Sequence, residues 1–377
     1  MGARINKKLR AAFFNQTSTM ENSGDAMNAF VNRISTVVPN NDVHGRMTSA
    51  FIKLDPLPQY RELLLMMKDQ CQISHRWSVL KDPEGFYGAN PSLVSTAERM
   101  VEYEKNAKDL AFKAVAGLDL GDEAAAITHV VVISCTGFFS PGIDFELINR
   151  FGLNPSVERT TIGFMGCYAG VNGLKVARHI VRSEPSAKVL VVSLELCSLH
   201  VQMPKDLEQA VPYLLFGDGC AAALVSSEPR GLELHSFTAV VIPDTTEQMT
   251  WRIGNVGFDM TLSRQVPLAI TTGLTEEAKK LILGGTSSKE IDLWAIHPGG
   301  RAVLDAVERA FLLPPDALTY SRRVMDRFGN MSSATIFFVL NEILKAANVD
   351  SSLRDATGCG MAFGPGLTAE TFLFSVV

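Results

Sequence analysis

Twice along this 377-residue chain a turn of small residues runs into a helix that must be buried, once at Cys167 and again at Asn330. The first of these is the stricter constraint. Ala169, Gly170, Val171, Gly173, Leu174 and Val176 leave that helix apolar on nearly every side. A helix without a polar face has to be covered all round, so other elements must enclose it. The neighbouring segments supply sheets. THVVVISCTG (128–137) is a continuous apolar run suited to a strand buried on both faces, and AKVLVVSLEL (187–196) and GDGCAAALVSS (217–227) are further strands. In the second half DLWAIHPGG, RAVLDAVERAF, GNMSSATIFFVLNEILKAANV and GCGMAFGPGLTAETFLFSVV repeat a related order. An α/β fold with buried sheets under helices accounts for this alternation.

The remaining segments supply packing. Residues 1–45, rich in Asn, Ser and Thr, are expected to form a loose tail followed by a first strand at AFVNRISTVVP. Leu63, Leu64, Met67 and Cys71 fall at helical spacing within 57–80, and 96–118 reads as a second amphipathic helix. TTIGFMG reads as a turn-rich approach to Cys167. The length exceeds one ordinary core and calls for two domains or two fused halves. Lys and Arg number 35 against 40 Asp and Glu, a net charge of −5, so no global positive field draws the chain to nucleic acid. No two of the six cysteines lie within twenty positions of each other, which excludes CxxC redox pairs and zinc knuckles and leaves reduced thiols. The first eighteen residues lack the apolar core of a secretory signal, and no apolar run reaches the roughly 18 residues of a membrane span. A cytoplasmic protein is expected.

Three side chains stand out as chemical candidates. Cys167 precedes a buried helix, where the dipole and unpaired N–H groups favour a thiolate; the alternative is a packed core cysteine. His297, in AIHPGG, ends a strand before a Pro-Gly-Gly loop, where an imidazole can pair with a thiolate or serve only structure. Asn330, in FGNMSSA, is either a helix cap or an amide donor. The other histidines considered, His44, His75, His129, His179 and His235, have no such context.

Taken together, GFMGCYAG, LLFGDG, IHPGG, GNMSSA and GMAFGPGLTAE occur in an order and at intervals that resemble the type III polyketide synthases, relatives of plant chalcone synthase. The resemblance runs from about residue 25 to Val377, and its most specific element is FGPG (363–366), which the related ketosynthase III enzymes lack. It implies a thiolase-like layered αβαβα fold of two pseudo-symmetric halves, 1–228 carrying the nucleophile and 229–377 the His and Asn. Cys167, His297 and Asn330 would then be the catalytic triad. Phe216 would be a gatekeeper, and Met260 would stand where a second, aromatic gatekeeper is usual. Cys135 stands in place of a cavity threonine and Trp251 in place of a glycine that controls volume. Gly299, Gly300, Ala302 and Ser332 would also meet substrate.

The resemblance further implies acyl-CoA and malonyl-CoA as substrates, no metal and no resident cofactor. It also implies a homodimer with a cis Ser140–Pro141 bond. Basic residues that bind CoA in plant members are replaced by Leu63, Met66 and Gln70, which leaves Lys68 or Lys81 to hold the phosphates. MTWRIGNVGF is closer to bacterial members, and a fatty-acyl starter leading to alkylpyrones or alkylresorcinols is the favoured product class, with Trp251 opposing it if the indole fills the tail's space. The alternatives are a ketosynthase III, a synthase primed by malonyl-CoA or an aromatic acyl-CoA, a non-catalytic scaffold, and a cysteine hydrolase.

Overall fold

A computed structural model describes residues 27–54, 57–88 and 90–377; the expected loose tail before residue 27 lies outside the described residues. Strands follow in chain order as β1 (Ala29–Val37), β2 (Asn41–Asp42), β3 (Trp77–Ser78), β4 (His129–Ser134), β5 (Glu158–Gly163), β6 (Val189–Leu196), β7 (Asp218–Ser226), β8 (Leu232–Val241), β9 (Met249–Gly254), β10 (Gly257–Leu262), β11 (Leu293–Ile296), β12 (Thr357–Gly364) and β13 (Thr368–Val376). Nine of them form one sheet in the order β11-β12-β13-β8-β1-β7-β6-β4-β5. A short seam divides it, because β1 and β8 share only the pairs Ala29–Leu234, Phe30–Glu233 and Val31–Leu232.

Side-chain alternation across the strands builds the layers. On β4, Val131 and Ile133 face the inner core with the helix Ala169–Ser183, while Val130 and Val132 face the helix Thr96–Ala116 outside. Beyond the seam, Phe372 and Phe374 on β13 point inward, and Cys359, Met361 and Leu373 point to an outer core with the helix Arg301–Phe311. The inner core holds two helices, Ala169–Ser183 and Thr335–Val349, with both sheet groups around them. This is the five-layer α/β architecture, and β4, β6 and β7 are buried along their whole length as their apolar runs require. The outer helix starts at Ser95, whose hydroxyl oxygen accepts from the Glu98 N–H while the Glu98 carboxylate accepts from the Ser95 N–H, a reciprocal cap.

Two expectations change. Residues 158–163 are a strand rather than a turn-rich approach: β5 pairs with β4 in parallel at the sheet's edge, and one open edge explains its polar Glu158, Arg159, Thr160 and Thr161. The turn shrinks to Phe164–Gly166. The helix expected across 57–80 covers Arg61–Gln70, ending before Cys71, and Trp77–Ser78 is strand. The segment around Trp251 is a hairpin, β9–β10, with Trp251 paired to Met260 across it. The Ser140–Pro141 bond is cis as expected.

The two inner helices meet at a glycine. A Cβ on Gly170 would lie 2.3 Å from the carbonyl oxygen of Ser333, a backbone atom that cannot swing away. Replacing Gly170 by Ala therefore forces the helix start and the Ser332–Ala334 turn apart, with a cost of about 1–3 kcal/mol. The expected result is a lower melting temperature and a loss of catalytic turnover larger than the stability loss explains; unchanged values for both would show that the contact is slack.

Candidate active site

The candidate residues gather outside the carboxyl ends of the strands, where open α/β sheets place their crevices. Cys135 follows β4, Cys197 follows β6, Phe216 precedes β7, and His297 and Pro365 follow β11 and β12. Cys167 follows the turn after β5, with Tyr168 between it and the first helical residue. That turn is tight. Gly166 has φ +82°, and its absent Cβ leaves the space that the Pro365 ring occupies, 2.3 Å from where that Cβ would be. The FGPG loop thus lies directly against the residue preceding the candidate nucleophile.

Burial overrides the helix end at Cys167. Its thiol is pushed up to about 12, first by desolvation, against the hydrogen bonds of the Ser332 and Asn330 side chains that favour the thiolate. The expected resting thiolate is therefore a thiol. His297 is also buried, desolvation holds it down to about 3, and neither ring nitrogen has a hydrogen-bond partner. Its backbone is tied down, the His297 N–H donating to the Met361 carbonyl at 2.8 Å. A neutral imidazole with a free donor and a free acceptor in an enclosed site is an uncommon arrangement, and a bound group would satisfy it.

Asn330 acts partly as a cap. Its Oδ1 accepts from the Ser332 N–H at 2.8 Å, which fixes the amide so that Nδ2 donates to the Gly299 carbonyl at a long 3.3 Å and is directed toward the Cys167 thiol. Its backbone pairs with the segment before β7: the Asn330 N–H donates to Leu215 and the Gly217 N–H to Asn330, both at 2.9 Å. Ser332 holds a left-handed φ of 48°, a strained value for a non-glycine residue beside a site.

Above Cys167 is a narrow, mainly carbon-lined cavity that includes Cys135, Phe216, Trp251, Met260 and Ser332 in its walls. Gly299, Gly300 and Ala302 are not in those walls. Gly299 instead offers its carbonyl to Asn330, a Cβ on Gly300 would face Leu215, and Ala302 lies in the first turn of the following helix. Trp251 closes the space behind Cys135. Its indole N–H donates to the Cys135 carbonyl at 2.8 Å, and its ring meets His200 and Phe258 edge-on.

Three contributors were not singled out in the sequence. His200 stacks on Phe258 at 4.2 Å, donates from Nε2 to Thr136 and accepts from the Phe258 N–H at Nδ1, a fully satisfied neutral ring. Glu195 is buried and pushed up to about 7 by desolvation, although Cys135 N–H, Thr136 and Ser333 all donate to it. It ties the wall residue Cys135 to the turn that carries Asn330. Position at a strand's end was the only sequence signal for His200 and Glu195. Lys68 and Lys81 reach no wall of the cavity. Among the described residues one His–carboxylate group is close enough to share an ion, His129 with Glu158 and Glu184, at the opposite ends of β4 and β5. No helix among the described residues is long and apolar enough to cross a membrane.

Residues 16–229 match the N-terminal domain and residues 233–377 the C-terminal domain of chalcone and stilbene synthases. The chain is 34% identical over 279 residues to the alpha-pyrone synthesis polyketide synthase-like Pks18 of Mycobacterium tuberculosis, covering 72% of this chain and 70% of that one. It is 35% identical over 260 residues to type III polyketide synthase C of Arabidopsis thaliana, covering 66% and 67%. Among solved structures, PKS-I of the brown alga Ectocarpus siliculosus superposes with a TM-score of 0.84 at 26% identity over 94% of this chain and all of that one. The C-terminal type III domain of the Dictyostelium hybrid Steely1 does so with 0.84 at 28% identity, over 93% and 99%.

Cys135, Cys167 and Cys197 all line the cavity and burial raises all three thiols, and by exposure alone the half-buried Cys197 would come before the buried Cys135 and Cys167. The Asn330 and Ser332 side chains, which stabilise a thiolate, reach Cys167. Brief iodoacetamide treatment followed by peptide mapping should label Cys167 and leave Cys135 and Cys197 unmodified. Dominant labelling at either of the other two would remove Cys167 from the nucleophile's role.

Proposed function

The chain belongs to the chalcone and stilbene synthase family and is a type III polyketide synthase, and from that premise we propose that it joins an aliphatic acyl-CoA starter to malonyl-CoA units and releases an alkylpyrone or related cyclised product. The observation that carries this reading is the Asn330 amide reaching the Cys167 thiol at a carbon-lined cavity, while the same amide meets the Gly299 carbonyl next to the buried, unpartnered His297. The name of the mycobacterial relative supports a pyrone as product. An apolar lining suits an aliphatic tail more than a polar aromatic one.

Each step has a residue for it. The Cys167 thiol gives its proton to the free nitrogen of His297 as sulfur attacks the starter thioester, and the departing CoA thiolate takes that proton back. Malonyl-CoA then loses CO2, and the electron pair of the broken bond becomes an enolate. Its oxygen receives hydrogen bonds from the Asn330 amide and from neutral His297. Burial that holds the imidazole neutral suits this work, because a neutral donor stabilises the enolate without protonating it. The enolate carbon attacks the Cys167 thioester and Cys167 leaves as thiolate. Decarboxylation itself supplies the carbanion, so this chemistry calls on no metal or redox cofactor, with CoA thioesters as the substrates.

The same reading includes a homodimer. Phe138 and Phe145 are 41% and 42% exposed, and among the described residues the outer edge of β5 is unpaired beside them, an arrangement that a second copy would cover. Light scattering at micromolar concentration should give twice the chain mass; a monomer would count against it.

Asn330→Ala should slow release of labelled CO2 from malonyl-CoA by about 100-fold or more, the usual loss for one such donor, while starter loading on Cys167 falls much less. His297→Ala should impair both steps. Decarboxylation at the wild-type rate in Asn330→Ala would reduce Asn330 to a helix cap. Mass analysis of products from graded acyl-CoAs reads the starter, the number of extensions and the ring together.

A further inference from the structure

The space above Cys167 is too small for a long tail. Its free volume of about 50 Å³ holds a few waters. The way past Cys135 is shut by the Trp251 indole, which is hydrogen-bonded and held edge-on by two rings. On the opposite side two wall residues, Met47 and Val201, also line a second cavity. That outer cavity holds about 260 Å³ and is walled mainly by carbon, from Ala50, Pro83, Tyr87, Pro91 and Met203. Tyr87 offers it a ring face, because its hydroxyl is already engaged with the Ser198 carbonyl at 2.5 Å. The exposed Glu84 and Gly88 form its solvent rim.

We infer that the outer cavity is the subsite for the aliphatic tail of the Cys167-bound acyl chain, entered between Met47 and Val201. The inference rests on the reading of Cys167 as the acyl carrier. Continuity selects this occupant: the two cavities share a wall, so a chain anchored at Cys167 reaches the outer one by displacing a single layer of side chains. The divider can yield at one point. Val201 is branched, and its carbonyl accepts from buried Arg99 at 2.8 Å. Met47 is unbranched with a flexible thioether, on a helix (His44–Leu54) whose Thr48 hydroxyl accepts from buried Arg76 at 2.9 Å. The Met47 side chain can therefore rotate aside while the backbone on both sides stays fixed. Tail length would then be limited by the outer cavity, and the ring would form in the small inner one.

The test uses the wild-type protein and a dodecanoyl-CoA carrying a terminal diazirine, loaded without malonyl-CoA, irradiated and mapped by peptide mass spectrometry. The expected result is a thioester at Cys167 and cross-links within 47–50, 83–91 or 201–203. A thioester at Cys167 with cross-links at Phe138, Phe164 or Trp251 would overturn the subsite and leave the carrier role standing. Absence of the thioester would overturn the carrier role and the subsite with it. As a second measurement, Ala50→Trp fills the outer cavity. Its ratio of dodecanoyl-CoA to hexanoyl-CoA turnover should fall about tenfold, the effect of unburying roughly two methylenes. An unchanged ratio in the folded variant would also overturn the subsite.

Discussion

The contact between Gly170 and the Ser333 carbonyl governs how the rest of the site is assembled. Each half of the chain contributes one helix whose start is buried, and the starts of the two helices come together where only a hydrogen atom separates them from backbone. Cys167 lies just before one helix and Asn330 just before the turn that leads into the other. The layers around them serve this meeting. Inward-facing residues of both sheet groups enclose the helix pair, and Glu195 fastens the end of β4 to the same turn through Thr136 and Ser333. A nucleophile from one half and an amide from the other are thereby held by packing rather than by loops.

Enclosure also determines the charges. Cys167, His297 and Glu195 all move in the direction that desolvation dictates, toward thiol, neutral imidazole and neutral acid. The resting site thus stores no ion pair. Between Cys167 and His297 charge arises only when a substrate arrives, while the Arg76 guanidinium in the cavity wall remains a standing cation. Undirected water would weaken each of these hydrogen bonds, and the narrow cavity with its aromatic wall admits little.

Much of the fold was legible because burial leaves a simple signature. The continuous apolar runs at 128–137 and 187–196 became strands covered on both faces, whereas the helix after Cys167 is buried on one side only and turns Lys175, Arg178, His179 and Arg182 outward. Elements exposed on one side were harder to read. β5 is polar because its edge is open, and the β9–β10 hairpin carries exposed Arg252 and Ile253 beside Trp251, which masks its alternation. In the site, the order of motifs pointed to Cys167, His297 and Asn330, whereas His200, Phe258 and Glu195 act through stacking and hydrogen bonds to residues far away in sequence. The thiolate expectation failed for a related reason. A helix start is a local feature, and the desolvation that outweighs it comes from the whole surrounding core.

The backbone pairing of the Phe216 segment with Asn330 bears on timing. Leu215 and Gly217 are tied to Asn330 on one side, while the buried Arg76 guanidinium holds the Tyr213 and Phe216 carbonyls on the other. A gate built on a swinging loop opens in microseconds to milliseconds, but a main chain pinned from both sides leaves only rotation about side-chain bonds, which takes picoseconds to nanoseconds where there is room. If Phe216 gates the cavity, passage there would be a rotation of its side chain within a fixed main-chain frame rather than the opening of a loop.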